Sequence, residues 1–202
     1  MSSTNPPRIA FFGTPSFVTG MLDTLTERGF PPILIVTQPD APQGRGLIVT
    51  PSPVKAWALT HDIDVVTPEN LKPENIPDEL LNSEWDIFVV ASYGSIIPKI
   101  LLDKPTHGTI NYHPSLLPKL RGASPYRSAI LLDQRDAVGI SIIELDEEMD
   151  HGPILAQARI TLDEWPIGAL LLEGLLAEQG AELLVDTIPA LLDGSIIPEE
   201  QN

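Results

Sequence analysis

The residues best suited to chemistry lie in one short segment, residues 111–118, whose sequence is NYHPSLLP. A glycine three positions upstream and the proline after His113 predict that the segment opens at the end of a β-strand. Alternate side chains of a strand share a face, so Asn111 and His113 would point the same way and Tyr112 the opposite way. A carboxamide and an imidazole would then lie together at a strand's carboxyl end, where open α/β sheets place their ligand crevices.

A carboxylate from another loop could orient and charge this imidazole, and Asp150 in the turn Asp150-His151-Gly152 is the candidate, with Asp146 as a local competitor. The chain has no cysteine, and Ser115 has no base triad of its own, so a good nucleophile is missing. The set favours direct group transfer, in which a donor stabilises an oxyanion and an imidazole manages the proton of an amine. The alternative for His113 is a ring that only hydrogen-bonds within the fold.

Several segments taken together resemble the 10-formyltetrahydrofolate-dependent formyltransferases. The central one is NYHPSLLPKLRGASPYRSAIL, which contains the family pattern Asn-x-His-x-Ser-Leu-Leu-Pro. FGTP with Phe17, TQPDAPQGRG at residues 37–46 and PSPVK at residues 51–55 resemble the family too. The similarity runs from about Arg8 to the final residues. Each motif alone is weak or moderately specific, but their order and spacing together are specific, and they are most similar to the members that formylate methionyl initiator tRNA.

The resemblance implies that a formyl group moves from 10-formyltetrahydrofolate to the α-amino group of methionyl-initiator tRNA, in translation initiation and without a metal. Asn111, His113 and Asp150 would be the catalytic residues: Asn111 and protonated His113 would stabilise the oxyanion, and His113 with Asp150 would handle the proton. Two alternatives stay open. One is formyl transfer to another amine, such as an amino-sugar nucleotide, although TQPDAPQGRG and PSPVK argue against it. The other is a non-catalytic folate- or tRNA-binding module.

The resemblance also implies two groups of binding residues. Main-chain groups and apolar surface would contact the folate at Tyr93, Gly94, Ile96, Ser115, Leu116, Leu117 and Pro118. The substrate tRNA would be contacted by Gly44, Arg45, Gly46 and Arg121. Arg45 is the only charged residue between Asp40 and Lys55, and its alternative is a solubilising loop tip. The three residues after Gly46 are apolar, where relatives often carry lysines, and this departure weakens the expected RNA contact.

Composition bounds the class of protein. A chain of 202 residues with 43% hydrophobic residues and a mean hydropathy of +0.08 can bury one sizeable core. No apolar run reaches the ~20 residues of a membrane helix, the first residues do not resemble a signal peptide, and the absence of cysteine fits a reducing compartment. We therefore expect a cytoplasmic monomer that does not bind membranes.

The charge balance argues against general nucleic-acid binding. Lys plus Arg is 12 against 28 for Asp plus Glu, so the net charge is −16, and a phosphate backbone would be repelled unless the cations are gathered in one place. Several cations do flank the proposed site in the sequence: Lys99, Lys104, Lys119, Arg121, Arg127 and Arg135.

Alternating strand and helix patterns predict an α/β fold, a Rossmann-like, doubly wound and mostly parallel sheet of the formyltransferase type. Strands are expected at residues 8–12, 33–36, 63–66, 86–90, 108–111 with an end reaching 113, 137–145 and 154–160. Helices are expected from Pro15 to 27, around 57, at 124–132 and from 165 to at least 184. Residues 38–53 are expected to be irregular. A Gly-x-Gly-x-x-Gly turn is missing after the first strand, so dinucleotide binding is unsupported.

We expect one catalytic domain over residues 1–202, with short polar ends at 1–7 and 195–202. The resembled family continues into a smaller, β-rich C-terminal domain that helps to hold tRNA, and nothing in this chain corresponds to it. Weak tRNA binding is therefore expected of this chain alone.

Overall fold

The computed structural model describes residues 6–44 and 46–202. The strands, in chain order, are β1 Ile9–Gly13, β2 Leu34–Val36, β3 Ala41–Gln43, β4 Ile48–Thr50, β5 Asp64–Val66, β6 Ile87–Ala91, β7 Thr109–His113, β8 Gly139–Glu144 and β9 Ile154–Arg159. The helices are α1 Phe17–Glu27, α2 Pro53–Thr60, α3 Asp78–Asn82, α4 Lys99–Leu102, α5 Pro125–Leu131 and α6 Ala169–Leu192. The strands apart from β3 and β4 follow the order β5-β2-β1-β6-β7-β8-β9 in a mostly parallel sheet, so the predicted α/β class is confirmed.

The first compact unit, Met1–Thr109, is built on parallel strands. β1 pairs with β2 on one side and with β6 on the other, and β2 pairs with β5. Every residue of β1 and β6 is buried, as continuous apolar runs of a parallel sheet should be. The chain moves outward from β1 to β2 and β5 and then returns to β6, and such a reversal next to β1 is where open α/β sheets hold ligands.

Helix α1 shows why the sequence forms these elements. Its buried residues are Val18, Met21, Leu22 and Leu25, and this i, i+3, i+4, i+7 spacing gives one apolar stripe on a 3.6-residue period. Phe30 then closes the helix by donating its N–H to the carbonyl of Leu25 at 2.8 Å. The predicted helix end at residue 27 agrees with the structure.

The second compact unit, Ile110–Asn202, contains an antiparallel arrangement. β8 pairs with β7 and with β9, and the register sets Asn111 opposite Ile143 and His113 opposite Ser141. The long helix α6 packs against β8 and β9. Its Gly180 lies against the ring of Tyr112, so close that an added methyl group would overlap the ring.

Three expectations about local structure were wrong. Residues 38–53 are not wholly irregular, because β3 and β4 pair there as an antiparallel hairpin with Ala41 opposite Thr50. Helix α6 begins at Ala169 rather than at residue 165. The end of the chain is more than a polar tail, since Glu199 forms an isolated β-bridge with Ile154. The β3–β4 hairpin and the Glu199 bridge depend on pairing between separated segments. The start of α6 is a helix boundary, which the local sequence pattern defines poorly.

Among the described residues, no helix is long and apolar enough to cross a membrane.

Two glycines of α6 should respond oppositely to alanine. Gly180→Ala should lower the free energy of unfolding by about 1–3 kcal/mol, because the new methyl group forces the ring of Tyr112 to move. Gly174 is exposed and meets nothing within 4 Å, so Gly174→Ala should raise it by about 0.5–1 kcal/mol through helix propensity. Urea unfolding followed by circular dichroism measures both. Equal effects of the two substitutions would contradict the packing of α6 on β7.

Candidate active site

Strand β7 carries Asn111 and His113 on one face, as the two-residue period of a strand requires. The intervening Tyr112 is buried on the opposite face. His113 is also buried, with 3% of its surface exposed, whereas Asn111 is partly exposed. Within the part of the chain that the structure describes, the Asn111 carboxamide has no hydrogen-bond partner. Its amide N–H groups are therefore available to an incoming molecule.

Both ring nitrogens of His113 face acceptors. Nε2 lies 3.0 Å from the carbonyl oxygen of Leu120, and a carbonyl can only accept, so Nε2 must carry a hydrogen. Nδ1 lies 3.5 Å from Oδ1 of Asp150, which is longer than a regular N–H···O hydrogen bond but close enough for a strong charge interaction when the ring is protonated. The ring satisfies both neighbours at once only as an imidazolium.

Asp150 is held on both of its carboxylate oxygens. Oδ1 faces His113, and Oδ2 accepts a hydrogen bond from the backbone N–H of Gly122 at 2.8 Å. The side chain is only 13% exposed. Burial alone would raise the pKa of Asp150, but the interactions with His113, the N–H of Gly122 and the charge of Arg121 outweigh it and hold the pKa below its ordinary value of 3.8. The structure therefore favours an ionised Asp150 beside the ring.

Asp146, the competing carboxylate, has a different partner. Its Oδ2 lies 2.7 Å from Nδ1 of His151, and both side chains are more than a third exposed. The hydrogen bond to Asp146 raises the pKa of His151 and outweighs the opposing effect of desolvation. The structure brings Asp150, and not Asp146, to His113.

The Ser115–Pro118 loop is braced by polar side chains from β8 and β9. The hydroxyl of Ser141 donates to the carbonyl of Ser115 at 2.7 Å and accepts from the N–H of Leu117 at 3.0 Å. Gln157 donates from Nε2 to the carbonyl of Leu117 at 2.9 Å and to the Ser141 hydroxyl at 2.8 Å. The peptide N–H and C=O of Leu117 are thus both hydrogen-bonded within the protein, and its carbonyl keeps one lone pair for a ligand.

The loop nevertheless borders open space. A surface cavity of about 400 Å³ is lined by Leu116, Leu117, Pro118, Lys119, Asp136, Gln157 and Arg159. Three of the four loop residues expected to contact the folate thus line a cavity, and the fourth, Ser115, is buried and donates its hydroxyl to the carbonyl of Lys119 at 2.6 Å. Asn111, His113 and Asp150 do not line this cavity.

In the first unit, the predicted folate residues Tyr93, Gly94 and Ile96 differ in accessibility. Tyr93 is 2% exposed and its ring packs edge-on against Phe12 at 5.5 Å. Its hydroxyl has no partner among the described residues, and burial raises its pKa to about 12. The carbonyl of Tyr93 accepts from the hydroxyl of Thr14 at 2.8 Å. Gly94 is exposed with a φ of +90°, and Ile96 is 86% exposed. Of these three residues, only Ile96 has a side chain that offers exposed apolar surface.

The predicted tRNA residues fall into two places. Gly44 and Gly46 are exposed between β3 and β4, and Arg45 lies outside the described residues. Arg121 is exposed, but its guanidinium is engaged: Nε and Nη2 donate to Oε1 of Gln201 at 3.0 and 2.7 Å.

Several groups at the site were not found by sequence reasoning. The carbonyl of Leu120 and the N–H of Gly122 are backbone groups, which leave no side-chain signal. Gln201 reaches the site by a long-range contact that no local pattern shows. Ser141 did leave a signal, since it is one hydroxyl in the otherwise apolar centre of β8 and is fully buried.

Among the described residues, no three His, Cys, Asp or Glu side chains are grouped to hold a metal ion.

The amino-acid sequence is similar to one family of known proteins over most of its length. Residues 7–188 match the sequence profile of the formyl transferase family. The methionyl-tRNA formyltransferase of Bacillus licheniformis is 42% identical over 196 residues, covering 96% of this chain and 61% of that protein. The one from Thermus thermophilus is 42% identical over 195 residues, covering 96% of this chain and 62% of that protein. The chain thus spans about three fifths of the length of these relatives.

Solved structures share the fold. A phosphoribosylglycinamide formyltransferase from Bacillus halodurans superposes with a TM-score of 0.74 at 23% identity, covering 93% of this chain and 96% of that one. An N-formyltransferase from Helicobacter canadensis, in complex with folinic acid and dTDP-3-aminofucose, has a TM-score of 0.72 at 18% identity, covering 97% of this chain and 68% of that one. At these identities the similarity concerns the fold alone.

The lowered pKa of Asp150 predicts a pH-dependent stability difference between the protein and its Asp150→Asn variant. A carboxyl whose folded pKa lies below its unfolded value stabilises the fold above that unfolded value, and the stabilisation is lost as the pH falls through the folded pKa. The protein should therefore be more stable than the variant at pH 6, and the difference should shrink below about pH 4. Urea unfolding at both pH values measures it. A difference that stays constant with pH would contradict the stated environment of Asp150.

Proposed function

Because the chain belongs to the formyl transferase family, we propose that it transfers a formyl group from 10-formyltetrahydrofolate to the α-amino group of methionyl-initiator tRNA. One observation carries the choice of substrate: relatives named methionyl-tRNA formyltransferase are 42% identical over 96% of this chain. Three solved structures named for other formyl acceptors are 18–23% identical, and at these identities they do not favour another substrate.

The formyl donor would supply a carbonyl whose oxygen gains negative charge when the amine attacks its carbon. An unpartnered amide donor fits that oxygen, and Asn111 provides one at the end of β7. Two similar structures contain 5-N-formyl-THF or folinic acid, which supports a folate as the donor. We propose that the pterin is contacted by Tyr93, Gly94, Ile96 and residues 115–118.

Asn111 is proposed to stabilise the developing oxyanion by donating a hydrogen bond from its amide. No hydrogen bond to another described residue has to be broken before this amide can bind the oxyanion. Removing one preorganised donor of this kind typically lowers the rate by about 10²–10³.

His113 and Asp150 are proposed to act as one unit. A ring that carries hydrogens on both nitrogens cannot accept a proton, and the contacts with Leu120 and Asp150 therefore favour a first role as a cation that stabilises negative charge. Donation from Nε2 to a substrate requires the carbonyl of Leu120 to release that hydrogen. Once the ring has given a proton away, the carboxylate of Asp150 stabilises the ring as it accepts the proton lost by the amine. No covalent bond to the protein forms in this scheme.

We further propose that residues 1–202 act as a catalytic domain that binds tRNA weakly by itself. The net charge of −16 opposes a polyanion, and one of the two proposed tRNA-binding arginines, Arg121, is engaged by Gln201. Arg45 with Gly44 and Gly46 remains the proposed contact of the β3–β4 hairpin. A cytoplasmic location is proposed because the similar proteins are named for the formylation of a tRNA, a substrate of protein synthesis. A monomeric state is a separate proposal.

A substrate comparison tests the proposed function. With 10-formyltetrahydrofolate as donor, the chain should formylate methionyl-initiator tRNA and leave a dTDP-amino sugar unmodified. The readout is the formyl-methionine released from the tRNA after mild base treatment. Faster formylation of the amino sugar would replace the proposed substrate. Binding of folate and tRNA without any turnover would support the non-catalytic alternative.

Asn111→Ala tests the oxyanion role. It should lower kcat by about 10²–10³ while leaving the unfolding midpoint nearly unchanged, because the removed amide has no partner within the described part of the protein. Asn82→Ala, at the exposed end of α3, is the matched control and should keep full activity. Near-normal kcat in Asn111→Ala would remove Asn111 from the proposed mechanism.

A further inference from the structure

The side chain of Gln201 joins the two loops that hold Asp150. Its Oε1 accepts two hydrogen bonds from the guanidinium of Arg121, at 3.0 and 2.7 Å. Its Nε2 donates to the backbone carbonyls of Asp150 and Gly152, at 2.9 and 2.8 Å. Both hydrogens of the amide and both lone pairs of the oxygen are used, so the carboxamide is saturated.

The segment that carries Gln201 is itself anchored next to this loop. Ile154 donates its N–H to the carbonyl of Glu199 at 2.7 Å, and Glu199 donates its N–H to the carbonyl of Ile154 at 2.8 Å. This reciprocal pair is a β-bridge at the start of β9. It places Gln201 two residues further on, level with the loop that precedes β9, and fixes the direction from which the carboxamide approaches.

The loop at Asp150 follows a constrained path. Asp150 has a φ of +51°, in the left-handed region that aspartate tolerates better than most residues. Gly152 passes so close to the carbonyl of Glu144 that an added methyl group would overlap it. The backbone carbonyl of Asp150 accepts a hydrogen bond from Gln201, which defines the orientation of the peptide group that follows the Cα of Asp150. The direction of the Asp150 side chain, which leaves the same Cα, is thereby defined as well.

We infer that Gln201 is a positioning residue that keeps the carboxylate of Asp150 against Nδ1 of His113 by tying the Arg121–Gly122 loop to the Asp150–Gly152 loop. The N–H of Gly122, which donates to Oδ2 of Asp150, is a second tie between the same loops. The kinetic consequence of this role rests on the proposed function. A misplacement of about 1 Å in a catalytic group can lower the rate by about 10².

The side chain must be a glutamine for this role. A glutamate would still accept from Arg121, but it would have no hydrogen to donate and would set a negative charge against two carbonyl oxygens. Gln201→Glu therefore separates the two halves of the contact, keeping the bond to Arg121 and removing the bonds to Asp150 and Gly152. Glu200 is the matched control, because it is exposed, and its side chain has no partner among the described residues.

The experiment compares formylation kinetics of Gln201→Ala, Gln201→Glu and Glu200→Ala in the full chain, after circular dichroism has verified the fold. Both Gln201 variants should lose about 10–100-fold in kcat with little change in KM for the formyl donor, and Glu200→Ala should match the unchanged protein. Full kcat in Gln201→Glu would overturn the inference, since the bonds to the Asp150 loop would then be unimportant.

A second comparison asks whether Gln201 acts through Asp150. In an Asp150→Asn background, adding Gln201→Ala should lower kcat by less than threefold, because the group being positioned is already lost. A full 10–100-fold further loss would show an independent structural role and overturn the inference.

A readout without catalysis separates this inference from the proposed function. Carbon-13 NMR of the Asp150 carboxyl should show a pKa below 3.8 in the unchanged protein and a return toward 3.8 in Gln201→Ala. An unchanged titration in the variant would overturn the positioning role. If the unchanged protein formylates no amine, the proposed function fails, and the NMR titration still decides the role of Gln201.

Discussion

The arrangement at the carboxyl end of β7 depends on one ion pair, between the carboxylate of Asp150 and the ring of His113. Both side chains are largely removed from water, and an isolated charge in such a place costs several kcal/mol. Each charge is therefore supplied with neighbours of the right sign or polarity. The carbonyl of Leu120 accepts from the ring, and the N–H of Gly122 donates to the carboxylate. Asn111, two residues before His113 on the same strand face, remains unpartnered among the described residues and available.

This constraint also explains the irregular backbone around the pair. Leu120, Gly122 and Asp150 all have positive φ, at 58°, 95° and 51°. Left-handed backbone is costly for residues with side chains, and such positions persist only where surrounding contacts determine them. Here the contacts are the hydrogen bonds that direct Leu120's carbonyl and Gly122's N–H at the pair, and the bond from Gln201 to the carbonyl of Asp150. The strained residues and the polar ties occur in the same two loops.

Sequence reasoning succeeded where the signal is local and stopped where it is not. The α/β class and the family were confirmed, because buried strands, amphipathic helices and ordered motifs each have a recognisable pattern within a short stretch of sequence. The shared face of Asn111 and His113 follows from strand geometry alone. The choice of Asp150 over Asp146 came from the family resemblance, because both lie in one acidic loop and local pattern does not separate them. The three-dimensional path of the loop brings Asp150 to the ring. The β3–β4 hairpin and Gln201 were missed because each depends on pairing between separated segments.

The most direct test of the account is a double-mutant cycle on His113→Ala and Asp150→Asn, measured as kcat/KM for formylation of methionyl-initiator tRNA. If the carboxylate works through the ring, the double variant should be no slower than the slower single variant. If the two losses multiply instead, imidazole and carboxylate act separately, and the ion pair is not the basis of the site.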